Sequence, residues 1–395
     1  MEEFKKYKFG DIVNILDSKR IPLSATQREN RKGIYPYYGA QGIIDYIDDY
    51  IFDGTYLLIA EDGENLKSQK NNIAQIAIGK YWVNNHAHIV ESNGSCDIRY
   101  ICYLLNKIDI SGYITGSAQP KLNQANLQSI ELSLPSLTVQ KRIADYIDLF
   151  DSKISLNRRI NDNLEQQAQA LFKSWFVDFE PFKDGKFVDS EMGMIPEGWK
   201  VGKLEDIADV VGGGTPSKAN ALYFDKQCIP WITPKDLSIK KTKFISKGEI
   251  DITEEGYKNS SAKKIPLGSV LFSSRAPIGY ISIAENELTT NQGFKSVVPV
   301  KAGTSFLYLY LKANTKAIEA QATGSTFKEA SGSLMKSLCV IIPPDTVFDS
   351  FERNAFPFFS AQANVEREIV NLSKARDTLL PRLMSGELKI NDLNC

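Results

Sequence analysis

The sequence predicts an α+β protein: two α/β domains joined by two long antiparallel helices, a coiled-coil-like spacer, with a pseudo-two-fold internal repeat. Three observations lead there. Thr115-Gly116-Ser117 recurs 208 residues later as Thr323-Gly324-Ser325, and that offset holds without a gap through Pro135 and Pro343, Phe150 and Phe358, and Leu171 and Leu379. Asp11-Ile12 recurs 195 residues on as Asp206-Ile207, within a looser match. In each copy, strand-like runs give way after a proline-marked strand to a helical period. A repeat of this length is a domain duplication and is too long for a solenoid unit.

Taken in order, residues 1–135 read as short strands at 56–60, 73–77 and 81–83, separated by Gly-rich and Asn-rich turns and followed by a helix over 97–108. Residues 136–190 form the first helical region. Its long helix stops at Asp178-Phe179-Glu180-Pro181, and Ile195-Pro196-Glu197-Gly198-Trp199 opens the second globule. Residues 191–343 repeat the first plan, with strands at 269–272, 280–283 and 295–298 and a helix over 306–320. Residues 344–395 form the second helical region.

Each helical region carries one apolar seam. Ile143, Ile147, Phe150, Ile154, Leu164 and Leu171 step by threes and fours along the first. Phe351, Phe358, Val365, Ile369, Leu372 and Leu379 hold the second. Burying these seams against one another gives an antiparallel pair. Asn157, Asn161 and Gln362 interrupt the seams and either fix register or mark wet stretches. Pro357 is expected to kink or restart the second helix, because it has no N–H to donate and clashes one turn back. Trp175 and Trp199 read as packing residues.

At 395 residues, 43% hydrophobic and 24% charged, the chain can bury two or more cores and is neither disordered nor fibrous. A net charge of −1 argues against indiscriminate coating of DNA, while leaving room for local basic faces. The sequence has no apolar run of membrane-spanning length and no signal-peptide pattern at Glu2-Glu3, so a cytoplasmic protein without membrane contact is expected. Cys96, Cys102, Cys228, Cys339 and Cys395 form no CxxC pair and read as reduced thiols. His86 and His88 read as one face of a strand rather than as metal ligands, and no metal site is expected.

The sequence contains no GxxxxGK[ST], HExxH, GxSxG or [DNS]PP[YF] motif, so no catalytic residue is assigned. Gly212-Gly213-Gly214-Thr215 lacks the Gly-Lys of a nucleotide cradle and reads as a tight turn that exposes backbone, open to a DNA phosphate.

The doubled segments TGSAQPKLNQANLQSIELSLPSLTVQKRIADYIDLFDSKI and TGSTFKEASGSLMKSLCVIIPP, with LFKSWFVDFEPF, MIPEGWKVGKLEDIADVVGGGTPS, TTNQGF and ARDTLLPRLMSGELKI, resemble the specificity (S) subunit of type I restriction-modification systems. The resemblance covers essentially the whole chain. Phe327-Lys328 departs from it where the first copy has Gln119-Pro120. The resemblance implies two target-recognition domains, each reading one half of a bipartite, asymmetric double-stranded DNA target. The helices would set the gap and dock two modification subunits, with restriction subunits where a system carries them. S-adenosylmethionine, ATP and Mg would then sit on those partners, with no cofactor in this chain. This fits the missing catalytic motifs, because a base-flipping enzyme carries its own pocket. The alternatives are the specificity subunit of a methylation-only or type IIB-like system and a self-contained DNA-modifying enzyme.

Reading bases calls for Arg or Lys on guanine and Asn or Gln on adenine, with hydroxyls and further basic groups on phosphates. The first domain offers Arg20, Arg28, Arg31, Lys32, Tyr38, Gln41, Gln119 and Lys121. The second offers Thr215, Ser217, Lys218, Lys235, Ser274, Arg275, Asn291, Gln292, Ser325 and Lys328. Any one of them reads equally well as a solvated loop residue. Gln41, between Gly39 and Gly42, and Arg275, near Pro277 and Gly279, have the loop setting and the planar group that bidentate base contact needs.

Overall fold

Two helices of 40 residues each, Leu137–Phe176 and Asp345–Met384, begin and end 208 positions apart in this computed structural model. The structure describes residues 4–116, 119–275, 277–324 and 328–392. The chain forms two compact units, Met1–Ile154 with Asn371–Cys395, and Ser155–Val370, so each long helix contributes to both.

The first unit contains β1 (Lys5–Lys8), β2 (Val13–Ile15), β3 (Lys32–Gly39), β4 (Gly42–Ile47), β5 (Phe52–Ala60), β6 (Ala74–Val83), β7 (Ala87–Ser92) and β8 (Glu131–Leu134). Six of them form one sheet in the order β2-β7-β5-β6-β3-β4, in which only the β3–β6 pairing is parallel. Leu57 and Ile59 of β5 enter one apolar cluster and Leu58 another, so both faces of the central strand are covered. The runs expected at 73–77 and 81–83 are one strand, β6, carried through Gly79 at positive φ. The helix expected over 97–108 runs Ile98–Leu105, and the Asp97 side chain caps it by accepting from the Arg99 and Tyr100 N–H groups.

The second unit contains β9 (Phe187–Val188), β10 (Ile195–Pro196), β11 (Lys200–Lys203), β12 (Ala208–Gly212), β13 (Phe224–Asp225), β14 (Ile229–Ile232), β15 (Phe244–Ile245), β16 (Asp251–Ile252), β17 (Val270–Ser274), β18 (Ile278–Ala284), β19 (Thr289–Thr290), β20 (Lys295–Pro299) and β21 (Cys339–Ile342). Its five-stranded sheet runs β12-β20-β17-β18-β15, again antiparallel except for the last pair. The two offsets read from the sequence meet in one ladder. Lys5 pairs with Leu134 in β1–β8, and Lys200 pairs with Ile342 in β11–β21, positions 195 and 208 residues on.

In the first unit Ile143 and Ile147 bury with Leu380 and Leu383 among domain residues such as Phe9 and Tyr100. In the second, Phe172 and Phe176 pack with Phe351, Phe306 and Trp199, and the Phe176 ring centre lies 4.8 Å from those of Phe306 and Phe351. Trp175 is half-buried against Phe351. The helices run antiparallel in both units: Asp151 meets Arg376, and Asn157 donates to Glu368 at 2.9 Å. Of the seam, Ile143, Ile147, Ile154 and Phe351 are buried. Phe150, Leu164, Leu171, Phe358, Val365, Ile369, Leu372 and Leu379 are half-buried. Much of the apolar stripe therefore faces domain cores, and polar Asn157 and Gln362 occupy buried positions between the helices.

The restart expected at Pro357 does not occur, since the helix runs unbroken through it. Pro357 and Arg353, whose carbonyl loses its helical partner, both lie on the solvent face, where that carbonyl is not sealed from water, while buried Ala355 and Phe359 hold the helix on either side. Among the described residues no helix is long and apolar enough to cross a membrane.

Candidate nucleic-acid interface

In the second unit, loops from four places converge on a cleft of about 480 Å³. Thr215 and Lys218 come from the turn after β12, Lys235 from the helix Pro234–Lys240 after β14, Arg275 from the end of β17, and Asn291 and Gln292 from the turn after β19. Six of the ten second-domain candidates thus share one rim. Thr233 starts the Lys235 helix in a capping box with Asp236, which fixes where Lys235 sits. Asn291 Oδ1 accepts from the Gly293 N–H at 2.9 Å, and its backbone N–H donates to the Ile232 carbonyl at 2.9 Å, so the turn is held from inside. Thr215 contacts Gln292.

The charges on this rim are only partly answered. Arg275 is half-exposed, and its one ion pair among the described residues, to Glu329 at 3.6 Å, is long; Glu329 is also held by Lys295 at 3.0 Å. A guanidinium has five N–H donors, so most remain open to a ligand. Lys235 pairs with Glu249 at 2.8 Å while exposed, and that partner raises its pKa. Lys218, exposed, has no hydrogen-bond or ion-pair partner among the described residues.

The other second-domain candidates lie apart. Ser274 is fully buried and bonded through its side chain and its N–H to the Gly293 carbonyl, so it is closed to solvent. Ser217 and Lys328 are exposed but do not line the cleft. Ser325 lies outside the described residues. The glycine turn also differs from expectation. Gly213 and Gly214 donate their N–H groups to the Phe294 and Thr290 carbonyls, and a Cβ on Gly214 would lie 2.2 Å from the Ala262 nitrogen. These glycines let two backbones pass in close contact and present no phosphate cradle.

In the first unit most basic candidates are engaged. Arg20 reaches Glu61 at 2.6 Å and Asp17 at 3.3 Å, with its side chain 15% exposed. Arg28 bonds Asp45 and the Leu23 carbonyl and stacks on Tyr37. Arg31 bonds Asp48 and stacks on Trp82, and Lys32 bonds Asp45, whose pKa that contact lowers. Lys121 pairs with Glu61 at 3.1 Å, and Tyr38 is half-buried against Tyr81. Gln41, exposed, lines a separate polar hollow with Lys70, Asn72 and Gln75, while Gln119 is exposed outside it.

Asp17, Glu61 and His88 lie close enough to hold a metal ion, but Arg20 already sits between the two carboxylates. His88 Nδ1 meets Asp17 at 2.5 Å and Nε2 meets the Leu122 carbonyl at 2.7 Å, so neither ring nitrogen is left for a cation. An ion-pair network accounts for the cluster. Of the two histidines, only His88 is in a strand; His86 lies on the preceding turn, exposed, against Asp62 at 2.7 Å.

Sequence reasoning missed Lys243, which is buried and joins the second domain to both helices. Its ammonium reaches Glu165 at 2.9 Å on one helix and Gln362 at 2.8 Å on the other, above the Tyr308 and Phe359 rings. Glu366 accepts from the Lys243 and Phe244 N–H groups at 2.9 and 3.1 Å. Burial lowers the Lys243 pKa to about 8. Lys243 and Lys312 overcome the burial of Glu165 and hold its pKa at about 2.

The family model for the type I restriction modification DNA specificity domain matches residues 1–166 and again 196–347. The chain belongs to this family. As a specificity chain it is 44% identical over 162 residues to the type I restriction enzyme MjaIX specificity subunit of Methanocaldococcus jannaschii, a match covering 40% of this chain and 37% of that relative. Against the type I restriction enzyme HindI specificity subunit of Haemophilus influenzae it is 25% identical, covering 98% of this chain and all of the relative. The fold is shared with the crystal structure of the type I restriction-modification system S subunit from M. genitalium, at TM-score 0.66 and 12% identity, over 97% of this chain and 96% of that one. The doubled match identifies two recognition domains in one specificity chain.

Proposed function

We propose that this specificity chain is the address-reading, non-catalytic subunit of a DNA-modifying complex: each recognition domain reads one half of a split, asymmetric target, and the helix pair sets the gap and docks two modification subunits. The observation that carries this reading is the second-domain cleft, where Arg275, Lys218, Asn291 and Gln292 converge on loops of a duplicated frame. Guanidinium and amide groups on one rim suit the acceptor-rich edge of guanine and the mixed edge of adenine, and Lys218 suits a phosphate. S-adenosylmethionine, ATP and Mg would belong to the partners, with restriction subunits added where the system has them, in the cytoplasm.

Two measurements test it. The assembled complex should hold one duplex sequence at a salt concentration that strips non-specific contacts. The purified chain alone should bind no S-adenosylmethionine in calorimetry. Binding of that methyl donor by the lone chain would favour the self-contained enzyme.

A further inference from the structure

The two recognition domains share a set of backbone hydrogen bonds that aligns their reading rims residue by residue. Asn84 N–H donates to the Tyr38 carbonyl as Asn291 N–H does to that of Ile232. The side-chain oxygen of Asn84 accepts from the His86 N–H at 2.8 Å, and that of Asn291 from the Gly293 N–H at 2.9 Å. Glu61 N–H donates to the His86 carbonyl as Ser274 N–H does to that of Gly293, and Leu122 N–H donates to Glu61 as Ala330 N–H does to Ser274. The same turn on the same strand ends is thus built twice.

Three positions on the second-domain cleft acquire counterparts this way. Three residues beyond Tyr38 and Ile232 stand Gln41 and Lys235. Between the paired Asn and the His or Gly stand Asn85 and Gln292. Directly after Glu61 and Ser274 stand Asp62 and Arg275. Asn85 is exposed, and its side chain has no hydrogen-bond partner among the described residues. Asp62 holds His86 at 2.7 Å through one oxygen, and its other oxygen has no side-chain partner there. At the positions where the second domain offers a cation and an amide, the first offers a carboxylate and an amide.

Resting on the proposed reading of the second-domain cleft, we infer that Asn85 and the Asp62–His86 pair are specificity-determining residues of the first domain, and that they select base edges presenting an exocyclic amine. A carboxylate accepts from cytosine N4, and an Asn amide matches adenine N6 and N7, whereas a guanidinium in the place of Asp62 would favour guanine. Asp62 also holds the His86 ring at Nδ1, which leaves Nε2 without a hydrogen-bond partner among the described residues. Arg20 donates to the Asn85 and Ala87 carbonyls at 3.4 and 3.0 Å and so supports the turn that carries this rim, while Arg28 and Arg31 are engaged with acids elsewhere in the domain.

The test uses the full chain, tagged and purified from its own host with the subunits it assembles with, and selects bound duplexes from a random duplex library. Asn85→Ala and Asp62→Asn should each reduce base discrimination by about 5- to 150-fold at one or two positions of one half-site, the span of a lost bidentate contact. Arg275→Ala should act on the other half-site alone. Thermal melting checks that each variant folds, and His86→Gln, which keeps an amide in reach of Asp62, is a milder second variant. If Arg275→Ala relaxes its half-site while Asn85→Ala and Asp62→Asn leave every preference unchanged, or weaken all duplexes evenly, the inference is overturned and the cleft reading survives. If Arg275→Ala also changes no preference, the cleft reading falls and takes the inference with it.

Discussion

Replacing Lys243 by methionine keeps most of the length and the apolar stem of the side chain and removes its charge and its N–H donors, so it tests the contact that ties the second recognition domain to both helices. The lysine is buried, with Glu165 at 2.9 Å and Gln362 at 2.8 Å. Removing one partner of a buried ion pair costs about 3–5 kcal/mol, because the other charge is left uncompensated. Glu165 keeps a second cation here, Lys312 at 2.6 Å, which is 40% exposed and so only partly shielded from water. The loss should therefore fall at or just below the lower bound, about 2–3 kcal/mol for unfolding of the second unit. Pairing Lys243→Met with Glu165→Leu removes both charges, and a buried pair replaced by apolar groups is often near neutral, so the double variant should recover at least ~1 kcal/mol of the single loss. Three of the four tryptophans, Trp175, Trp199 and Trp231, lie in the second unit, so urea denaturation read by tryptophan fluorescence reports mainly on it. A loss under ~1 kcal/mol for Lys243→Met, or a double variant no better than the single, would refute the view of Lys243 as a charge-compensating joint.

Further outcomes follow from the same structure. The Glu165 pKa is held at about 2, against 4.5 for an ordinary glutamate, so its contribution is full above 4.5 and is lost as pH falls toward 2. It is worth about 3 kcal/mol at most, and Glu165→Gln should flatten that part of the stability profile. Gly214→Ala places a Cβ 2.2 Å from the Ala262 nitrogen and should distort the Thr215 side of the cleft, seen as weaker duplex binding with the first half-site preference retained. Four residues added to each long helix at matched positions lengthen each by about 6 Å at ~1.5 Å per residue, and should lengthen the preferred gap by roughly one or two base pairs at ~3.4 Å each, read by sequencing methylated sites.

The duplication was legible because the two halves kept their residues where they build the same ladder and helix. Lys5 with Leu134 and Lys200 with Ile342 are the two offsets made physical. The helix starts were readable from a period of threes and fours that sets in after Pro135 and Pro344, although Pro357 proved no barrier once buried neighbours fixed the backbone around it. What the helices pack against was less legible. A seam position looks alike whether it faces another helix or a sheet, and the Lys243 joint depends on a residue far along the chain from its partners. In the second domain the rim was found by residue type, since Arg275, Asn291 and Gln292 sit in turns with glycine nearby. In the first, a search for cations led to Arg20, Arg28 and Arg31, whose acidic partners Glu61, Asp45 and Asp48 are set by tertiary contact. Asn84-Asn85-His86 against Asn291-Gln292-Gly293, 207 residues apart, was the available signal, masked by a one-residue shift from the main offset.

The central claim is that one chain carries two unlike readers on one repeated frame. Mapping every methylated base in the genome of a host that carries this chain and its partner subunits tests it most directly. The account predicts a split target whose two halves differ, separated by a constant gap, with both halves lost together when the chain is deleted. A single continuous palindrome, or a methylation pattern that survives the deletion, would contradict it.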